Sequence, residues 1–90
     1  MDIEDLHNKF LDCNSFVDID SRSIRDGSIF FGIQGNNFDG NQFAEEALTK
    51  GAKFAVVDSD SILFNNKNIL RVKNSLETLQ KLATFHRLKS

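Results

Sequence analysis

Two uninterrupted apolar runs bracket one helical pattern, and this arrangement limits the chain to few folds. The runs are Ile29-Phe30-Phe31-Gly32-Ile33 and Phe54-Ala55-Val56-Val57. A strand with one wet face alternates apolar and polar residues; a run without polar breaks suits a strand covered on both faces. Between the runs, Phe43, Ala44, Ala47 and Leu48 form the apolar stripe of a helix over 42–50. Glu45 and Glu46 lie in its early turns, Asn41 stands at the N-cap position, and Gly51 is the expected C′ glycine. Strand, helix, strand at this spacing predicts a βαβ unit with parallel strands and a right-handed crossover. Phe30, Ile33, Val56 and Leu70 are expected to share one core.

The flanking segments complete an α/β pattern. Ile3, Leu6, Phe10 and Leu11 recur at helical spacing, so residues 2–13 read as an amphipathic helix capped by Asp2 and ended by Asn14-Ser15. His7 lies beside that apolar face as a packing residue. Phe16 to Asp20 alternates in part and reads as a short strand. After a polar loop from Asp58 come a short apolar patch, Ile62-Leu63-Phe64, and a turn over Asn65-Asn66-Lys67-Asn68. Ile69 to Val72 is the last strand. Ser75 is placed to cap a final helix carrying Leu76, Leu79, Leu82, Ala83 and His86 on one face. The expected architecture is a small α/β domain with a mixed sheet, one βαβ unit and about three helices.

Ninety residues make one small domain with a modest core. The net charge of −2 lacks the basic face that general nucleic-acid binding needs. No apolar stretch approaches the ~20 residues of a membrane span. The acidic start, Met1-Asp2-Ile3-Glu4-Asp5, lacks the basic opening of a signal peptide, and the single cysteine, Cys13, excludes an internal disulfide. Both features fit a cytoplasmic protein. Cys13 reads as a small hydrophobe on a helix face. His7 and His86 are far apart in sequence, no zinc spacing occurs, and neither a Gly-x-Gly-x-x-Gly turn nor a Gly-x-x-x-x-Gly-Lys-Ser/Thr phosphate loop is present. The residues therefore describe a binding domain or part of a larger enzyme, with no catalytic residues and no metal ligands of its own.

Candidate binding residues cluster around the first apolar run. Four of the five glycines, at 27, 32, 35 and 40, fall in this stretch. Asp20-Ser21-Arg22 leaves the end of a strand. A serine hydroxyl both donates and accepts, and an arginine fork suits a phosphate or carboxylate, although an Asx-type turn with a surface arginine accounts for the same residues. Gln34-Gly35-Asn36-Asn37-Phe38-Asp39-Gly40 offers backbone N–H groups and side-chain amides around one aromatic ring. Phe38 is either a stacking face for a ligand or a plug for the core.

Taken together, Asp20-Ser21-Arg22, Gly27, Ile29 to Ile33, Gly35, Phe38-Asp39-Gly40, Phe43, Ala47 and Gly51-Ala52 resemble, in order and spacing, the N-terminal domain of the Mur ligases. The resemblance covers nearly the whole chain, so residues 1–90 are expected to be that one domain. It implies the domain that holds the UDP end of a UDP-N-acetylmuramoyl-peptide, with ATP and magnesium bound by a central domain and the incoming amino acid or dipeptide by a C-terminal one. Those two domains are absent from this chain, which resembles an excised piece without cofactor of its own and without ligase activity alone. The resemblance is greatest to members that add D-alanyl-D-alanine to UDP-N-acetylmuramoyl-tripeptide, particularly of the Bacteroidetes type. Members adding the third stem-peptide residue, or a stand-alone interaction module without a nucleotide, are the alternatives. By the same resemblance, Ser21, Arg22, Gln34, Gly35, Asn36, Asn37 and Phe38 contact the UDP, while Asp20, Asp39, Gly40 and Asn41 brace the loops. The chain departs from the family pattern at Asn41, where histidine is common, and at Gly32, where alanine is common.

Overall fold

A computed structural model describes residues 2–59 and 66–89. The chain opens with helix α1, Ile3–Asp12, whose N-cap Asp2 accepts a hydrogen bond from the backbone N–H of Asp5 at 2.9 Å. Asn14 and Ser15 end it in left-handed conformations, with φ of 57° and 60°. Four short strands follow: β1 (Val17–Asp18), β2 (Ile29–Phe31), β3 (Phe54–Val57) and β4 (Ile69–Arg71). A 3-10 turn, Gly40–Phe43, leads into helix α2, Ala44–Thr49, between β2 and β3. Helix α3, Ser75–Lys89, closes the described chain. The expected patch 62–64 lies outside the described residues, as does Asn65 of the following turn.

The four strands lie in sequence order and all pair in parallel, with Val17 opposite Ile29, Phe30 opposite Ala55, and Val56 opposite Leu70. The α/β class, the βαβ unit and the three helices agree with expectation, whereas the mixed sheet is corrected to a parallel one. Among the described residues the antiparallel pairing is one isolated bridge, Gln34 to Asp39. Parallel pairing of β1 with β2 requires the loop 19–28 to run back along the sheet. Arg25 holds that return: its backbone N–H and Nε donate to Asp18 at 2.9 and 3.0 Å, and its Nη2 donates to the Val17 carbonyl at 2.6 Å.

The sheet is buried on both faces. Ile29, Phe31, Val56 and Leu70 pack with Leu6, Phe10, Cys13 and Leu82 under α1 and α3. Phe30, Ala55 and Val57 pack with Ala44, Ala47 and Ala52 under α2. Side chains alternate between faces even in an unbroken apolar run. Phe30 therefore belongs to the α2 core, and the single core expected for Phe30, Ile33, Val56 and Leu70 is corrected to two. Helix starts also differ from the sequence reading. The side chain of Asp39, not Asn41, caps the 3-10 turn. The side chain of Asn74, not Ser75, accepts from the backbone N–H of Glu77 at 2.9 Å at the start of α3. On α1, Leu11 is exposed and His7 is buried.

Candidate functional site

Two loops leave the carboxyl ends of the neighbouring parallel strands β1 and β2, the edge where α/β sheets usually bind ligands. In the first, Asp20 holds Arg22. Its carboxylate accepts from the backbone N–H, Nε and Nη2 of Arg22 at 2.9, 3.0 and 3.0 Å. These hydrogen bonds, the side-chain ones foremost, lower the Asp20 carboxyl to about 2. Ser21 is buried, and its carbonyl accepts from Lys50 Nζ at 3.0 Å. Lys50 also pairs with Glu46 one turn earlier on α2, at 3.5 Å.

The second loop doubles back on itself. The backbone N–H of Gly35 donates to the Phe38 carbonyl at 2.6 Å, and that of Gly40 donates to the Ile33 carbonyl at 2.9 Å. The two arms touch so closely that a Cβ at the crossing would force the facing backbone of this chain to shift. A Cβ on Gly32 would lie 2.9 Å from the Asn41 backbone, and one on Gly40 would lie 2.8 Å from Ile33 N. Phe38 is 54% exposed and stacks on Phe43, with ring centroids 5.4 Å apart and planes 13° from parallel. Asp39 accepts from both the backbone N–H and the Nδ2 of Asn41. Buried Asn41 then bonds Asp58 twice at 2.8 Å, and Asp58 accepts from the Ser75 backbone N–H at 2.7 Å. One amide side chain thus links the second loop to the ends of β3 and α3.

The loops meet in a cleft of about 530 Å³ lined by Ile19, Asp20, Ser21, Arg22, Phe38, Phe43 and Glu46. Of the residues singled out from sequence, Asp20, Ser21, Arg22 and Phe38 come together here. Gln34, Gly35, Asn36 and Asn37 are exposed and lie outside its lining, as do Asp39, Gly40 and Asn41. Ile19, Phe43, Glu46 and Lys50 were not singled out as site residues. Phe43 carried a signal as part of the family pattern, but Lys50 carried none, since it meets Ser21 across 29 positions. A hollow of about 600 Å³ beside α1, β4 and α3 carries Arg71, Lys73 and Lys81 but none of the expected residues.

The remaining chemistry-bearing side chains are in packed places. Cys13 is fully buried, and burial pushes its thiol up. His7 and His86, distant in sequence, meet where α1 packs on α3, with Nε2 and Nδ1 3.1 Å apart. Neither lines the cleft. The chain has no Gly-x-x-x-x-Gly-Lys-Ser/Thr loop, and among the described residues no three His, Cys, Asp or Glu side chains converge. Among them, too, no helix is long and apolar enough to cross a membrane.

Residues 14–87 match the family described as "Mur ligase family, catalytic domain". The chain belongs to the Mur ligase family. Its Mur ligase relatives include the UDP-N-acetylmuramoyl-tripeptide–D-alanyl-D-alanine ligase of Rickettsia prowazekii, 38% identical over 86% of this chain and 17% of that protein. Another is the UDP-N-acetylmuramoyl-L-alanyl-D-glutamate–2,6-diaminopimelate ligase of Clostridium tetani, 38% identical over 91% of this chain and 19% of that protein. The MurF ligase of Thermotoga maritima, solved in complex with ADP, has the same fold over 76% of this chain and 16% of its own. The TM-score there is 0.68 at 34% identity. This Mur ligase chain spans less than a fifth of the length of each of these relatives.

Proposed function

We propose that this chain recognises the UDP end of a UDP-N-acetylmuramoyl-peptide, as the N-terminal domain of an ATP-dependent amide-bond ligase of peptidoglycan synthesis. The observation that carries the reading is the cleft in which Ser21, Arg22 and Phe38 converge from two loops. Phe38, seated on Phe43, offers a flat exposed face to a pyrimidine ring. The Ser21 hydroxyl suits the edge of the base. Arg22 uses Nε and Nη2 on Asp20 and keeps Nη1 for a phosphate oxygen. Gln34, Gly35, Asn36 and Asn37 form the exposed tip of the second loop and close over the uridine from outside the cleft. Asp20, Asp39, Gly40 and Asn41 brace the two loops.

The reaction we assign to the whole cytoplasmic enzyme is addition of D-alanyl-D-alanine to UDP-N-acetylmuramoyl-tripeptide, in keeping with the Rickettsia relative. Addition of the third stem-peptide residue is the second reading, favoured by the equal identity of the Clostridium ligase. ATP, magnesium and the amide-forming step belong to further domains.

Amide NMR on the labelled chain tests the site. UDP at millimolar concentration is expected to shift Ser21, Arg22 and residues 34–40 and to leave His86 unmoved. Loss of a charged hydrogen bond typically costs about 1.5–3 kcal/mol, so Arg22→Ala is expected to weaken UDP about ten- to a hundred-fold while uridine changes little. Equal losses for both ligands would reduce Arg22 to a brace. No shift at millimolar UDP would favour an interaction module.

A further inference from the structure

Glu46 stands in the cleft without a part in the proposed recognition of base and phosphate. Both oxygens of Asp20 are engaged by Arg22. The Glu46 carboxylate is held more loosely, by a 3.5 Å ion pair of one oxygen with Lys50, and its side chain is 46% exposed. It lines the same cleft as Ser21 and Phe38. Around the cleft the carboxylates of Asp20 and Glu46 are balanced by Arg22 and by Lys50, which sits on Glu46 and the Ser21 carbonyl. On this wall the Glu46 carboxylate is an acceptor suited to a group rich in hydroxyl donors. A carboxylate accepts from hydroxyls through short, charge-assisted bonds, the way an acidic residue reads a ribose in dinucleotide-binding folds.

Resting on the nucleotide reading of the cleft, we infer that Glu46 is a specificity-determining residue that accepts hydrogen bonds from the ribose hydroxyls. The nucleoside then lies within the cleft, its ring on Phe38 and its sugar toward α2. The diphosphate leaves past Arg22, away from Glu46. Lys50 is the positioning partner. It holds Glu46 and the Ser21 carbonyl together and so sets the distance between the sugar acceptor and the base-reading loop.

Titration of the 90-residue chain with uridine and with 2′,3′-dideoxyuridine, followed by amide NMR, tests this. The wild type is expected to prefer uridine by about ten-fold or more, the usual effect of one charged hydrogen bond. Glu46→Ala is expected to bring the ratio close to one, and Glu46→Gln to leave it in between. Glu45→Gln, on the same helix outside the cleft, is expected to keep the wild-type ratio. The ratio compares two ligands on one variant, so a general loss of loop order cancels. A Glu46→Ala chain that keeps the preference, or a wild type without one, overturns the role of Glu46 and leaves the nucleotide site standing. A wild type that binds neither nucleoside overturns the nucleotide reading and Glu46 with it.

Discussion

Asp20 and Arg22 show how two exposed residues shape a loop without stabilising the fold much. Their side chains are 46% and 85% exposed, and pairs of that kind are screened by water and salt. Their effect is local order: the Asp20 carboxylate fixes the direction of the Arg22 guanidinium. Hydrogen bonds from Arg22 lower the Asp20 carboxyl from its ordinary 3.8 to about 2. A depressed acid favours the folded loop above pH 3.8, and that contribution disappears as pH falls through about 2. Carboxyl NMR is expected to place the Asp20 midpoint near 2 and to return it to the ordinary range in Arg22→Ala. An unchanged midpoint in that variant would show that Arg22 is not its partner. Asp18 behaves similarly deeper in the sheet edge, where burial raises its carboxyl but hydrogen bonds from Arg25 lower it further.

At the scale of elements, the βαβ unit is held by the core that Phe30 fills under α2. Phe30 is 1% exposed and meets Ala44, Ala47, Ala52 and Ala55. Phe30 is the largest fully buried side chain of this core, so Phe30→Ala leaves a large cavity there. That change is expected to cost about 3–5 kcal/mol, a large share of a small domain's stability. Thermal melting checks it, and a melting temperature equal to wild type would remove Phe30 from the α2 core. α2 ends as its sequence dictates: Gly51 has φ +119°, and the Ala52 N–H reaches back to the Ala47 carbonyl at 3.0 Å.

For the whole molecule, the parallel sheet puts the two loops at one edge and leaves the histidine pair where α1 packs on α3, with neither ring in the cleft. The sequence carries no Gly-x-x-x-x-Gly-Lys-Ser/Thr phosphate loop. The isolated 90-residue chain is accordingly expected neither to hydrolyse ATP nor to form an amide bond. Phosphate release by purified material, persisting through controls for contaminating enzymes, would show that a catalytic centre lies within it.

By itself the sequence determined whatever depends on neighbours along the chain. The apolar runs marked β2 and β3, Asp2 and Gly51 marked helix ends, and the Asp20-Ser21-Arg22 and Phe38-Asp39-Gly40 stretches marked the loops and the family. Tertiary structure decided what depends on distant partners. Strand direction at β1 turned on Arg25 reaching back to Asp18, and the side of the sheet taken by Phe30 turned on the pleat. Asn41 gave up the cap to Asp39 because its amide is used by Asp58, and Ser75 left capping to Asn74 while its N–H went to the same carboxylate. Glu46 and Lys50 entered the site only when α2 packed beside the first loop. A hydrogen bond across 29 residues has no period and no spacing to read, so only the folded chain reveals it.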